Sequence, residues 1–140
     1  MRTRAVLLSL AFALAACGEG RRSFEQPLVL GGQRVSPDVL NRGEFVYMQR
    51  CRQCHGPRGR GDGPYASSLD PRPADLTRGE YPRIGATGGT LPSDEALARV
   101  IREGIEGTSM GPQHLEGENL EAVVQYLKTL SPAWRAQDVQ

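Results

Sequence analysis

Cys51-Arg52-Gln53-Cys54-His55 is the stretch whose residue types and spacing have a definite chemistry. Two thiols three positions apart, followed at once by an imidazole, can each form a thioether to one vinyl group of a haem while the histidine coordinates the iron. On one helical turn both sulfurs face the same porphyrin edge and the adjacent ring nitrogen points beneath the macrocycle. Two other chemistries use the same residues. A structural zinc site takes four ligands, and the only other thiol, Cys17, lies far upstream. A dithiol redox pair belongs in a βαβ setting, whereas the residues after His55 are rich in Gly and Pro and show no strand alternation.

The elements that must position this motif can be read from cap and period. Asn41 is placed as an N-cap with Glu44 completing a capping box, so a helix is expected to start there. Gly43, Tyr47 and Cys51 then recur every four residues, with Phe45 and Met48 alongside, which carries the helix into the motif. From Gly56 to Pro92 the chain is too full of Gly and Pro for regular structure. Ser93 opens a second helix with Asp94 and Glu95 in its first turn, an apolar stripe of Leu97, Val100 and Ile101, and Gly104 at its end. Met110 follows in a Gly/Pro-bounded loop, where backbone freedom can bring a thioether against a metal, and it is the only methionine downstream of the motif. The last helix is expected over Asn119–Leu130, striped by Leu120, Val123, Val124, Leu127 and Leu130 and closed by Ser131-Pro132.

Ahead of this domain, Arg2 and Arg4 precede an apolar run from Ala5 to Ala16 that is too short to span a bilayer core of roughly 20 residues. That is the pattern of an export signal. Its end, Leu14-Ala15-Ala16-Cys17, resembles the lipobox of bacterial lipoproteins, in which the cysteine is acylated and becomes the new amino terminus; Ala13-Leu14-Ala15 also suits an ordinary cleavage site. Acylation of Cys17 is favoured because an exported protein with an odd third cysteine needs a use for it. Residues 1–16 are thus read as a lipoprotein signal peptide, 17–40 as a flexible lipidated tether, with packing of Leu28-Val29-Leu30 on the domain as the alternative, 41–132 as the folded domain and 133–140 as a C-terminal tail. With 6% aromatic residues the domain has a thin core of its own, which a buried haem would fill out. A formal net charge of +1 gives no sign of nucleic-acid binding.

On these residues the chain resembles the small, monohaem class I c-type cytochromes of bacteria. In that family an amino-terminal helix ending in CxxCH crosses a carboxy-terminal helix, a glycine of the first lying against an aromatic of the second, and Gly43 and Tyr126 match those positions. The family wraps an irregular segment around one haem edge, as residues 56–92 would. It uses a proline carbonyl to hold the ligating histidine's Nδ1 proton; Pro64 occupies that place, with a plain turn proline as the other reading. Gly107-Thr108-Ser109-Met110-Gly111-Pro112 resembles the axial-methionine loop, with Gly111 inserted before the proline; core filling by Met110, or His114 as sixth ligand, are the alternatives. The resemblance implies an all-α fold of three to four short helices around one haem c, bound through Cys51 and Cys54 with His55 and Met110 as axial ligands. It implies an electron carrier rather than an enzyme, tethered at the periplasmic face of a membrane and serving membrane-bound respiratory donors and acceptors. A fixed subunit of a larger complex and a ligand-binding or peroxidase-like haem protein are the competing functions.

Charge is unevenly placed. Between Arg50 and Arg83 arginines outnumber acids seven to four, and from Asp94 to Glu121 acids outnumber arginines seven to two. This asymmetry either orients a redox partner with an acidic face or is ordinary surface solvation.

Overall fold

The computed structural model describes residues 23–84 and 90–135. The export signal, Cys17 and the start of the expected tether lie outside the described residues, as do residues 136–140.

The folded unit starts well before residue 41. Strands β1 (Leu28–Leu30) and β2 (Gln33–Val35) pair antiparallel with Leu28 opposite Val35 and Leu30 opposite Gln33. Gly31 and Gly32 join them with φ of 59° and 77°, the two positive values that a tight hairpin turn requires and that side chains resist. Alternation puts Leu30 and Val35 in the core and leaves Val29 outside. A lone two-stranded hairpin is marginal in water; this one is fixed by packing and by Gly31 N–H donating to the Trp134 carbonyl at 2.9 Å.

Helix α1 (Pro37–Arg50) follows at once. Ser36 is its N-cap, accepting from Val39 N–H, and Pro37 takes the first helical position, where its missing N–H costs nothing. The helix is therefore already under way at Asn41. Freed from capping, Asn41 grips the incoming chain instead: its Oδ1 accepts from Phe24 N–H at 2.8 Å and its Nδ2 donates to Phe24 O at 3.0 Å. The expected tether is thus part of the domain from Phe24 onward, because Leu30, Val35 and Leu40 have a core to enter.

Short α2 (Arg52–His55) continues from α1, and α3 (Asp94–Glu103) and α4 (Gly117–Thr129) complete four α-helices among the described residues. α3 is capped as its sequence predicts, Ser93 Oγ accepting from Ala96 N–H at 3.1 Å, and it ends at Gly104. α1 and α4 cross at Gly43, where a Cβ would lie 2.7 Å from both the Ala122 carbonyl carbon and Tyr126 Cβ. Only a glycine allows this approach. Tyr126 then meets Tyr47 with ring centroids 5.2 Å apart and Phe24 edge-on at 6.2 Å.

The carboxy-terminal boundary also moves outward. Ser131 caps a 3₁₀ turn over Pro132–Trp134, and Trp134 is 3% exposed. The sequence offers no period there, and the indole is buried only once Lys128 of α4 and Tyr81 come beside it. The all-α expectation holds, with the hairpin as the small strand content. Among the described residues no helix is long and apolar enough to cross a membrane.

Candidate haem-binding site

The motif sits where α1 hands over to α2. Cys51 N–H still donates to Tyr47 O at 2.8 Å, and the next turn closes through His55 N–H to Cys51 O at 2.9 Å. A helix of four residues leaves its last carbonyls without intrahelical partners, and the glycine-rich loop supplies them. Gly61 N–H donates to His55 O at 2.9 Å, Gly63 N–H to Cys54 O at 3.1 Å and Tyr65 N–H to Gln53 O at 2.9 Å. Leu76 N–H returns to Gly59 O at 2.7 Å, and the buried Tyr47 hydroxyl donates to Gly56 O at 2.7 Å. The segment without regular structure is therefore laced to the motif through its backbone.

These contacts orient the three reactive side chains. Cys51 and Cys54 are free thiols, and burial pushes Cys51 up to about 12, with Cys54 adding and Arg50 opposing. A thiol so held has little thiolate character, which does not suit a redox nucleophile. Among the described residues no group of three or more His, Cys, Asp or Glu side chains is arranged to hold a metal ion. His55 Nδ1 lies 3.1 Å from the carbonyl of Ala74. A carbonyl only accepts, so Nδ1 carries the proton and Nε2 keeps its lone pair, the tautomer a metal ligand needs. Burial lowers the His55 pKa, the Ala74 bond offsetting part of this, so the ring stays neutral.

The carbonyl is not that of Pro64. Docking of Gly63 on the Cys54 carbonyl turns Pro64 outward, where it is exposed and away from the cleft, and the chain returns past the imidazole at Pro73 and Ala74. Nothing in the side chain of an alanine could have announced this, since the group in use belongs to the backbone.

Cys51, Cys54 and His55 open onto a cleft of about 340 Å³ whose walls are mostly apolar, among them Leu97, Val100 and Ile101 of α3 and Leu127 of α4. Met110 lines the same cleft. Its loop is held by Ile105 N–H donating to Met110 O at 2.8 Å, Met110 N–H to Thr108 Oγ1 at 3.1 Å and Gln113 N–H to Ile101 O at 3.0 Å. His114 is exposed with a φ of 51° and does not line the cleft. Met48 is likewise absent from its walls.

The polar lining is sparse and of one sign. Among the described residues Arg50, Arg72 and Arg83 line the cleft and no carboxylate does. Tyr81 also lines it; its hydroxyl is buried without a hydrogen-bond partner, as is the Trp134 indole N–H. Burial raises the Tyr81 pKa and the neighbouring indole lowers it in part, so the two interact without the geometry of a hydrogen bond. Neither Tyr81, in the segment without regular structure, nor Trp134, in the expected tail, is marked by any motif or period; both are aromatics with a polar tip, which usually finds a partner when buried. An apolar cleft with thiols and a lone-pair imidazole on one wall, a thioether on its lining, and an orphaned donor and cations for carboxylates fits a covalently held haem.

The family described as cytochrome c oxidase, cbb3-type, subunit III matches residues 38–127. Among solved structures, the chain is similar to one from the Kuenenia stuttgartiensis reducing HAO-like protein complex, at 38% identity and a TM-score of 0.62. That similarity covers 67% of this chain and 43% of the other, so this chain corresponds to less than half of that protein's length. No curated protein matches.

Proposed function

The chain belongs to the c-type cytochrome family described as cbb3-type cytochrome c oxidase, subunit III, which makes it an electron-transfer protein with covalent haem c rather than an enzyme, and we propose that it is a membrane-tethered periplasmic carrier whose axial ligands are His55 and Met110. The observation that carries the ligand assignment is that Met110 and His55 line one apolar cleft while His114 stands outside it. Haem supplies a one-electron iron couple, and a His/Met ligand set is associated with a raised potential.

The protein's own residues do the rest. Cys51 and Cys54 anchor the group, and Ala74 holds the His55 ring at Nδ1 so that Nε2 is presented. Apolar walls on α3 and α4 exclude water, which further favours the less charged iron state. The cleft-lining arginines Arg50, Arg72 and Arg83 support docking by a membrane-bound donor or acceptor with an acidic face. Tethering through lipid on Cys17, and export itself, rest on residues 1–17 of the sequence.

The decisive experiment is Met110→Ala in the ferric holo-protein. The weak charge-transfer band near ~695 nm that the family's methionine-ligated haem shows is expected to disappear and the potential to fall, because a soft ligand favouring Fe(II) is lost. An unchanged spectrum and potential would remove Met110 from the iron.

A further inference from the structure

Lys128 of α4 is 1% exposed, yet nothing in electron transfer described above uses it. Its Nζ lies 2.5 Å from Asp94 Oδ1 and 5.3 Å from the centroid of the Trp134 ring. The second oxygen of the same carboxylate accepts from Gln125 Nε2 at 2.7 Å. Lys128 and Gln125 both belong to α4, whereas Asp94 is the first residue of α3. Two donors from one helix thus close on a single carboxylate at the start of another.

A buried ammonium is an uneconomical way to hold two helices together, since apolar side chains of similar volume are often as stabilising. Unlike an apolar contact, it is satisfied only where the ammonium and the Gln125 amide both reach the Asp94 carboxylate, which favours the register of α3 on α4 seen here. The register of α3 matters because that helix is the cleft wall from which the methionine loop hangs. Leu97, Val100 and Ile101 line the cleft, Ile101 O receives Gln113 N–H, and Met110 O receives Ile105 N–H just beyond the helix end. Lys128, Asp94 and Gln125 do not line the cleft themselves. Any mechanical effect they have on its contents passes through α3, which carries the methionine loop, or through Leu127 of α4.

We propose that Lys128 and Asp94 are positioning residues that lock α3 against α4 and so hold Met110 in the cleft against displacement by outside ligands. This rests on the reading of Met110 as the sixth ligand. Opening of the loop is the event the pair opposes, and an exogenous ligand that must displace Met110 measures it directly.

The test is imidazole binding to the ferric holo-protein. Lys128→Met removes the charge and keeps much of the stem, while Asp94, whose side chain is 39% exposed, can be hydrated. Asp94→Asn keeps an acceptor for the ammonium and serves where the first variant does not fold. Imidazole affinity is expected to rise by about five- to thirtyfold, the change that loss of one partly buried ion pair makes in an opening equilibrium. A lowered thermal midpoint with unchanged imidazole affinity would mean the pair is only structural and would overturn the proposal. Met110→Ala is the reference. If it leaves imidazole affinity unchanged, the ligand assignment fails and the proposal with it; if it raises affinity and neither pair variant does, the lock alone is refuted.

Discussion

Gly43→Ala tests the helix crossing on which the site is built. The new methyl would stand 2.7 Å from both the Ala122 carbonyl carbon and Tyr126 Cβ, and closer still to the Ala122 oxygen. None of these atoms sits at the end of a side chain that can swing away, so α1 and α4 must separate. Overpacking of this kind costs about 1–3 kcal/mol, and rigid neighbours place it at the upper end. Alanine returns about 1 kcal/mol through its better helix propensity. The net loss is about 2 kcal/mol, which at about 4–8 °C per kcal/mol for a domain of this size lowers the melting temperature by roughly 10 °C. Thermal unfolding of the ferric holo-protein followed by circular dichroism reads it, with Gln49→Ala on exposed α1 surface as control. A melting temperature equal to or above that of the wild type would refute the close-packed crossing.

Tyr47→Phe removes the 2.7 Å donor from the Gly56 carbonyl, which keeps the Gly59 N–H at 3.2 Å, and is expected to cost about 0.5–1.5 kcal/mol in denaturant unfolding; an unchanged midpoint would mean that bond contributes nothing. Electron-transfer rates with membranes of the source organism should fall as salt rises and the Debye length shrinks from about 10 Å at 0.1 M to 3 Å at 1 M, whereas a flat profile would sink docking through the cleft-lining arginines. Cys17→Ser should keep its haem but move to the soluble fraction, since each buried acyl methylene contributes about 0.8 kcal/mol. Recovery of that variant with membranes would point to a protein partner as the anchor.

The chemistry was legible in the chain because it is local. Two cysteines and a histidine within one turn have few uses, and the Ser93 cap and the stripe on α4 are each written within a dozen residues. Gly43 and Tyr126 could be paired through a family resemblance, and the crossing is where that resemblance places it. The hairpin had a signal that the reading passed over: Gly31-Gly32 between Leu28-Val29-Leu30 and Val35 is a turn flanked by β-forming residues. Ser36-Pro37 likewise announced a helix start ahead of Asn41.

Other features depend on contacts between distant parts of the chain, and no local pattern encodes them. The carbonyl that orients His55 comes from Ala74, a residue without functional groups of its own, because the loop between them is shaped by amides docking on α2. Trp134 enters the core beside Lys128 of α4 and Tyr81, while the hairpin from the other end of the chain docks on its backbone carbonyl. Lys128 falls four residues after Val124, at the edge of the apolar stripe of α4, where its charge alone would send it to water, and it is buried because Asp94 and Trp134 arrive to satisfy that charge. Residue types and short spacings decide which cofactor a chain can hold; which backbone oxygen steadies the ligand, and which lysine can lose its water, is decided by what the fold brings alongside.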